Sequence, residues 1–493
     1  MLFDMRFDMP PLVTFCSSSL APFLACTQVL WLLAGAATAH AQPLPIEVAA
    51  SLQRARVPLE AVSVLVQEVG TQRSVVAHNA GAAFNPASVV KLLTTAAALD
   101  QLGPAWTWAT PVWLQGAIQN GVLDGNLHIK GTGDPKLVLE RVWLLLRRVQ
   151  QLGVREIRGD IVVDNSAFAA PEGTPADFDG EGSRPYNVRA SALLLNYKAV
   201  IYNFVPDGPR GVANVSSEPP LAGLQVDRSV PLANGPCEDW IGALKASFSL
   251  ARTRFAGAYA SACGEQSWVL ADVQPATYNQ RLLDAMWREM GGKISGAVRE
   301  GPAPAGIKPT FEFRSPPLLE VVREINKFSN NVMAQQLFLS LALVRNPTQA
   351  ATPEAARDLL RRWLSERVLE GAETGSDIVI DNGSGLSRET RVSAQLLAAV
   401  LQQAWGSAWL SELMSSLPIS GVDGTLRRTR AATGRAHLKT GSLRDVAARA
   451  GYVLADSGKR YVLVAFINHP NAGLARGALD ALVQWATREG TVR

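Results

Sequence analysis

Hydrophobic and polar residues alternate in three distinct ways along this chain. Near its start, Glu60 to Glu68 reads as a strand, and Ser74 to His78 repeats the pattern after Gly70-Thr71-Gln72, which predicts a hairpin. A short amphipathic helix is expected just before it, over 45–56, and the apolar run Ser88 to Leu99 predicts a second helix just after it. From about Trp106 to Lys308 the pattern breaks into short β-like runs punctuated by Gly, Pro and Asn. Within this stretch a helix is expected at Leu137 to Leu152, and strands at Glu156 to Val163 and Ala192 to Val205. Helical spacing returns at Pro316 to Leu343 and Pro353 to Val368, followed by a short strand, Asp377 to Ile380. The helix Ala394 to Trp405 comes next, with Ser393 placed to cap it. A strand edge over Ala436 to Ser442, a hairpin of Val446 to Leu454 with Arg460 to Asn468, and a helix over Leu474 to Arg488 complete the chain. Two strands, then helices, then three strands and a helix imply one sheet assembled from both ends of the sequence. The expected architecture is therefore α+β. Residues 42–105 and 309–493 form a sheet with helices, and 106–308 form a mostly β insertion in two parts.

Length and composition add compartment and class. A chain of 493 residues, 47% hydrophobic and 18% charged, describes a folded protein of two or three domains. The formal net charge of +4 is spread along the chain, which argues against a nucleic-acid surface and suits an anionic polymer. Residues 1–41 read as an export signal: an apolar run from about Leu20 to Ala37 ends in Ala39-His40-Ala41, a small-x-small cleavage pattern. A retained N-terminal anchor is the rival reading. No other segment has the length to span a bilayer, so the remainder is expected to be soluble or peripheral at a membrane. Cys16 and Cys26 fall in the signal, leaving Cys237 and Cys263 as one expected disulfide, with two free buried thiols as the alternative.

The chemistry starts at Ser88-x-x-Lys91. Residues three apart share a helix face, so a hydroxyl and an amine that can take its proton are neighbours. Alone, the pair is a common coincidence. Two further pieces follow in order, Ser329-Asn330-Asn331 and Lys439-Thr440-Gly441, and a trio of this kind marks serine acyl-transfer enzymes that react with penicillin. Ser88 would attack a carbonyl, with Lys91 as the base, kept partly neutral by burial and by the charge of Lys439. Ser329 would pass a proton to the departing amine, and the Asn331 amide would hold the substrate backbone. Lys439 and Thr440 would bind a terminal carboxylate, and Gly441 would let the strand edge approach it. The backbone N–H groups of Ser88 and Ser442 would form the oxyanion hole. The chemistry calls for no metal and no cofactor, and the histidines have no ligand spacing. Asp134, in Gly131-Thr132-Gly133-Asp134-Pro135, is expected to cap a turn, while Arg388 and Arg427 are expected to be solvated and Ser384 and Ser387 to brace a Gly-rich loop.

With these motifs, and roughly 240 residues between Ser88 and Ser329, the chain resembles the class C low-molecular-mass penicillin-binding proteins, of the penicillin-binding protein 4 type. Gly159-Asp160-Ile161-Val162-Val163-Asp164, Leu195-Asn196-Tyr197 and Asp381-Asn382-Gly383-Ser384-Gly385-Leu386-Ser387-Arg388 are similar to that family's secondary motifs. The resemblance implies a serine β-lactamase/transpeptidase-like catalytic domain. It also implies D-alanyl-D-alanine carboxypeptidase or endopeptidase activity on peptidoglycan stem peptides in the periplasm or cell envelope, and β-lactam antibiotics as covalent inhibitors. Two other readings stand beside it. A serine β-lactamase would need fast deacylation, and no Glu-x-Glu-Leu-Asn segment lies between Ser88 and Lys439 and no Tyr-x-Asn occurs in the chain. A catalytically idle wall-binding protein would have no need of the intact trio.

Overall fold

The computed structural model describes residues 43–371 and 377–488, so the expected signal segment lies outside the described residues. The central element is a five-stranded antiparallel sheet of β1 (Val62–Glu68), β2 (Ser74–His78), β3 (Ala436–Leu443), β4 (Val446–Leu454) and β5 (Arg460–Asn468), in the order β2-β1-β5-β4-β3. The early and late parts of the chain meet where β1 pairs with β5, in unbroken register from Val62 opposite Ile467 to Glu68 opposite Tyr461. Helices α1 (Ile46–Arg54), α2 (Lys91–Leu102), α3 (Leu318–Lys327), α4 (Asn331–Arg345), α5 (Ala394–Trp405) and α6 (Arg476–Thr487) cover the sheet.

Successive strand residues point to opposite faces. Val62, Val64, Val66, Leu463, Ala465 and Ile467 face a layer with α1 and α6, and Leu65, Val462, Val464 and Phe466 face α2, α4 and α5. Both faces are covered, so β1 and β5 are apolar at nearly every position instead of alternating. Helix α2 is buried along its whole first nine residues, Lys91 to Leu99, which is why its sequence is apolar on every side. An antiparallel sheet with helices on both faces, α+β, is the architecture read from the sequence.

The intervening region builds three further sheets of seven, five and three strands around a separate core. Helices Leu139–Gln151 and Tyr278–Glu289 pack into this core through Val142, Leu145, Leu146 and Val149, and through Leu282, Leu283 and Met286. Cys237 and Cys263 are disulfide-bonded there. The strand Phe311–Arg314 pairs with Ala109–Gln119, so the seven-stranded sheet runs past Lys308 to Arg314. Among the described residues no helix is long and apolar enough to cross a membrane.

Several elements expected to be continuous are interrupted, each for a local reason. The run Pro316 to Leu343 is two helices, because Ser329 sits at φ 58 and breaks the hydrogen-bond ladder between α3 and α4. The strand expected from Ala192 begins only at Ala199, because Asn196, Tyr197 and Lys198 are all left-handed, at φ 43, 52 and 47. Glu156 to Val163 is split into Glu156–Ile157 and Ile161–Asp164, with Gly159 packed so closely on Gly125 that a side chain there would strike its carbonyl oxygen at 2.6 Å. Asp377 to Ile380 makes a single pairing, Val379 with Arg391, and not a strand.

Candidate active site

The chain enters the site through a tight, strained turn. Ala87 lies at φ 46, a conformation that costs an L-residue about 1–2 kcal/mol. Asn85 holds it there: its Oδ1 accepts from Ala87 N at 2.8 Å, and its Nδ2 donates to the Ser387 carbonyl at 3.0 Å. Asn468, on β5, fixes Asn85 in turn by accepting from its N–H at 2.7 Å and donating to its carbonyl at 2.9 Å. Ser88 then lies on the one-turn helix Ala87–Val90, and Lys91 opens α2. The helical path brings Lys91 Nζ to 2.9 Å from Ser88 Oγ.

Lys91 is fully buried and has two other neighbours, the Asn331 side-chain oxygen at 2.7 Å and the Ser384 carbonyl. Burial, reinforced by the positive charge of Lys439, holds its pKa well below that of a free lysine. As a neutral amine it has two N–H donors and one lone pair. The donors match the two oxygens, and the lone pair is left for the Ser88 hydroxyl. Lys439 is also fully buried, and burial lowers its pKa to about 7. Its Nζ donates to Ser329 Oγ at 2.9 Å and to the Thr440 carbonyl at 2.7 Å.

Two close backbone approaches and one side-chain hydrogen bond hold this cluster together. Strand β3 is the edge of the sheet, and at Gly441 it passes so near the Ser88 turn that a Cβ would lie 2.5 Å from the Pro86 carbonyl. From the other side, Gly385, at φ 78, abuts the same turn, where a Cβ would fall 2.0 Å from Ala87 O and 2.8 Å from Ser88 N. Gly383 presents its carbonyl to Thr94 Oγ1 at 2.7 Å, pinning the loop to α2. Gly385→Ala is therefore expected to destabilise the fold by about 2–4 kcal/mol in a denaturant titration, combining backbone strain with an overpacked contact. Gly458→Ala, at φ 91 with open space around it, is the control and should lose only about 1–2 kcal/mol.

The three motifs thus converge beside the β3 edge as two hydrogen-bonded groups, Ser88–Lys91–Asn331 and Ser329–Lys439, coupled by the charge of Lys439 acting on Lys91. Thr440 lies next to it with its hydroxyl 2.7 Å from that of Thr425. Ser442 is exposed, and its hydroxyl accepts from Arg476 at 2.8 Å. Asn330, at the free middle position of its motif, caps α4 by accepting from Met333 N at 3.0 Å. Asp134 caps its own turn by accepting from Lys136 N at 2.7 Å. It is fully buried with one oxygen unpartnered, and burial raises its pKa to about 6. Arg388 is paired with Asp445 at 2.9 Å and lies over the Phe178 ring. The cysteine pair belongs to the inserted core and is no part of the cluster. Asn85, Asn468 and Thr425 were not singled out from the sequence, since lone Asn and Thr residues carry no spacing signal. The sequence predicts that Ser384 braces its loop; its backbone carbonyl, invisible to any motif, also contacts Lys91.

Known proteins resemble this chain in sequence and in fold. The chain is 25% identical over 427 residues to a D-alanyl-D-alanine carboxypeptidase of Haemophilus influenzae, covering 84% of this chain and 86% of that protein. It is 28% identical over 438 residues to a D-alanyl-D-alanine carboxypeptidase of an Actinomadura species, covering 84% and 78% respectively. Its fold matches the crystal structure of penicillin binding protein 4 from Haemophilus influenzae with a TM-score of 0.71, at 23% identity over 89% of this chain and all of that one. The family profile spans residues 44–489, nearly the whole described chain, and the protein belongs to the D-Ala-D-Ala carboxypeptidase 3 (S13) family of serine peptidases.

Proposed function

We propose that Ser88 is the nucleophile of this D-Ala-D-Ala carboxypeptidase and that the surrounding cluster divides the work as follows. Neutral Lys91 takes the Ser88 proton as Oγ bonds to the carbonyl carbon of the penultimate D-Ala. The resulting oxyanion is held by the backbone N–H groups of Ser88 and Ser442. The C–N bond then breaks, and Ser329 relays a proton to the departing amine, leaving an acyl-enzyme that water hydrolyses. Lys439 and Thr440 bind the terminal carboxylate, and Gly441 keeps the strand edge open to it. Asn331 has its oxygen occupied by Lys91, so its Nδ2 is the atom that donates to the substrate backbone. The observation that carries this reading is the Lys91 amine, buried, depressed in pKa and 2.9 Å from Ser88 Oγ.

In this reading the substrates are peptidoglycan stem peptides, and β-lactams acylate Ser88 as covalent inhibitors. A crystal structure of the Haemophilus influenzae penicillin binding protein 4 complexed with a β-lactam, 24% identical with a TM-score of 0.68, shares the fold. The protein is exported to the periplasm or cell envelope with residues 1–41 as its leader. Residues 42–105 and 309–493 make up the catalytic domain, and 106–308 the inserted accessory region, whose seven-stranded sheet also takes in the strand Phe311–Arg314. Purified muropeptides provide the test. Release of terminal D-Ala, scission of cross-linked dimers, or both is expected, together with a labelled penicillin that stays bound for many minutes. Rapid multiple turnover of the penicillin, or no product from either peptide, would overturn the assignment.

A further inference from the structure

The α3–α4 junction displays a side chain that the assigned roles leave without a task. Phe328, immediately before Ser329, is 70% exposed, although a phenylalanine ring is ordinarily buried. Its backbone is fixed on both sides. Its N–H donates to the Glu324 carbonyl at 3.2 Å as the cap of α3, and Ser329 follows in the left-handed conformation. Lys327, only 4% exposed, donates to the Leu417 carbonyl at 2.7 Å and to Asp423 at 2.6 Å. Asp423 also accepts from Ile419 N at 2.8 Å, so one carboxylate ties the loop 419–426 to the junction. At Gly424 the two segments touch so closely that a Cβ would lie 2.6 Å from the Lys327 carbonyl. Val422, on that loop, is 57% exposed, and Thr425 on the same loop reaches Thr440.

We infer that Phe328, together with Val422, forms an apolar lip that receives the departing portion of the substrate and favours a departing group larger than a single D-Ala. The inference rests on the roles proposed for Ser329 and Thr440. Ser329 serves the departing amine and Thr440 the carboxylate on the same residue, so the departing residue lies between them. The Phe328 junction and the Thr425 loop frame that side of the cleft. A lone D-Ala offers only a methyl group beyond those contacts. The departing strand of a cross-linked dimer offers a second stem peptide, whose aliphatic carbons can lie on an exposed ring. Because the lip is locked by the Lys327–Asp423 pair, little conformational freedom is lost when it is occupied.

The test compares Phe328→Ala with the wild-type protein on two peptides, a monomeric stem peptide ending in D-Ala-D-Ala and a cross-linked dimer. The acylation rate with a labelled penicillin is followed in parallel. A β-lactam keeps its departing nitrogen tethered in the same small molecule, so it reports the Ser88 machinery without the second strand. For Phe328→Ala, kcat/KM on the dimer is expected to fall about tenfold, the size of one lost ring contact, about 1.4 kcal/mol. Monomer hydrolysis and penicillin acylation should stay within about twofold, and Phe328→Trp should restore dimer cleavage. Equal loss on both peptides, a parallel loss of acylation, an unchanged dimer rate, or a wild type that cleaves only the monomer would overturn the inference while leaving the assigned activity intact. A wild type that cleaves neither peptide would instead overturn the functional assignment beneath it.

Discussion

Ser88→Ala is expected to eliminate covalent labelling by penicillin and to lower hydrolysis of a D-Ala-D-Ala peptide by at least about 10⁴-fold, as removal of a serine nucleophile does elsewhere. The substitution removes one oxygen from a side chain that is not fully buried, and the backbone path is set by Asn85 and Asn468, which remain. Thermal unfolding should therefore shift by no more than a few degrees, which separates lost chemistry from lost structure. Among the described residues no neighbouring hydroxyl is placed to substitute. Ser384 is fully buried, with its hydroxyl donating to Asn382 at 2.8 Å, and Ser329 is held by Lys439. Intact mass spectrometry after incubation with penicillin gives the answer directly. An adduct on the variant, or persistent peptide hydrolysis, would place the nucleophile elsewhere.

Lys91→Met should come second in effect, lowering acylation by about 10²–10⁴-fold, the range of a positioned general base. Methionine matches the volume and avoids burying an amine, but it leaves the Asn331 oxygen and the Ser384 carbonyl without their donor. Folding should survive, because no charge is stranded. Lys91→Arg should be no better, since a guanidinium stays protonated and cannot accept from Ser88. The pH profile gives a sharper reading. With Lys91 as the proposed base, acylation by wild type is expected to rise with pH as it loses its proton, at a pKa well below the ordinary lysine value. With Lys439 as the proposed carboxylate anchor, which binds in its charged form, kcat/KM is expected to fall again as pH rises through about 7. A bell-shaped curve results, and its acid limb should vanish in Lys91→Met. A wild-type profile still rising above pH 9 would show that Lys91 is not depressed.

Much of this was legible in the sequence because periodicity and spacing carry it. Strands β1, β4 and β5 are long apolar runs, and Ser88 and Lys91 sit three apart, so pairing, burial and proximity follow from local rules. Contacts made by lone residues left no such trace. Asn85 and Asn468 lie 383 residues apart, and nothing in either neighbourhood announces that they brace one turn. Helices α3 and α4 read as one run because Phe328, Ser329 and Asn330 keep the apolar rhythm approximately. The break comes from the left-handed backbone of Ser329, which a serine does not signal as a glycine would. The same blindness covers Asn196, Tyr197 and Lys198, three ordinary residues in an unusual conformation.

The pairing of β1 with β5 also has a kinetic meaning. The Ser88 turn is made early in synthesis, but the strand that aligns it and the lysine that tunes Lys91 come from about the last ninth of the 493-residue chain. Closing so long a loop is slow, and topologies dominated by distant contacts fold late. A nascent or truncated chain ending before β3 would carry Ser88 and Lys91 without Lys439 or Asn468, the residues that lower the Lys91 pKa and brace the Ser88 turn. On the proposed roles, reactivity therefore waits for the strands that carry Lys439 and Asn468, and a clip that removed them would silence it without touching the serine.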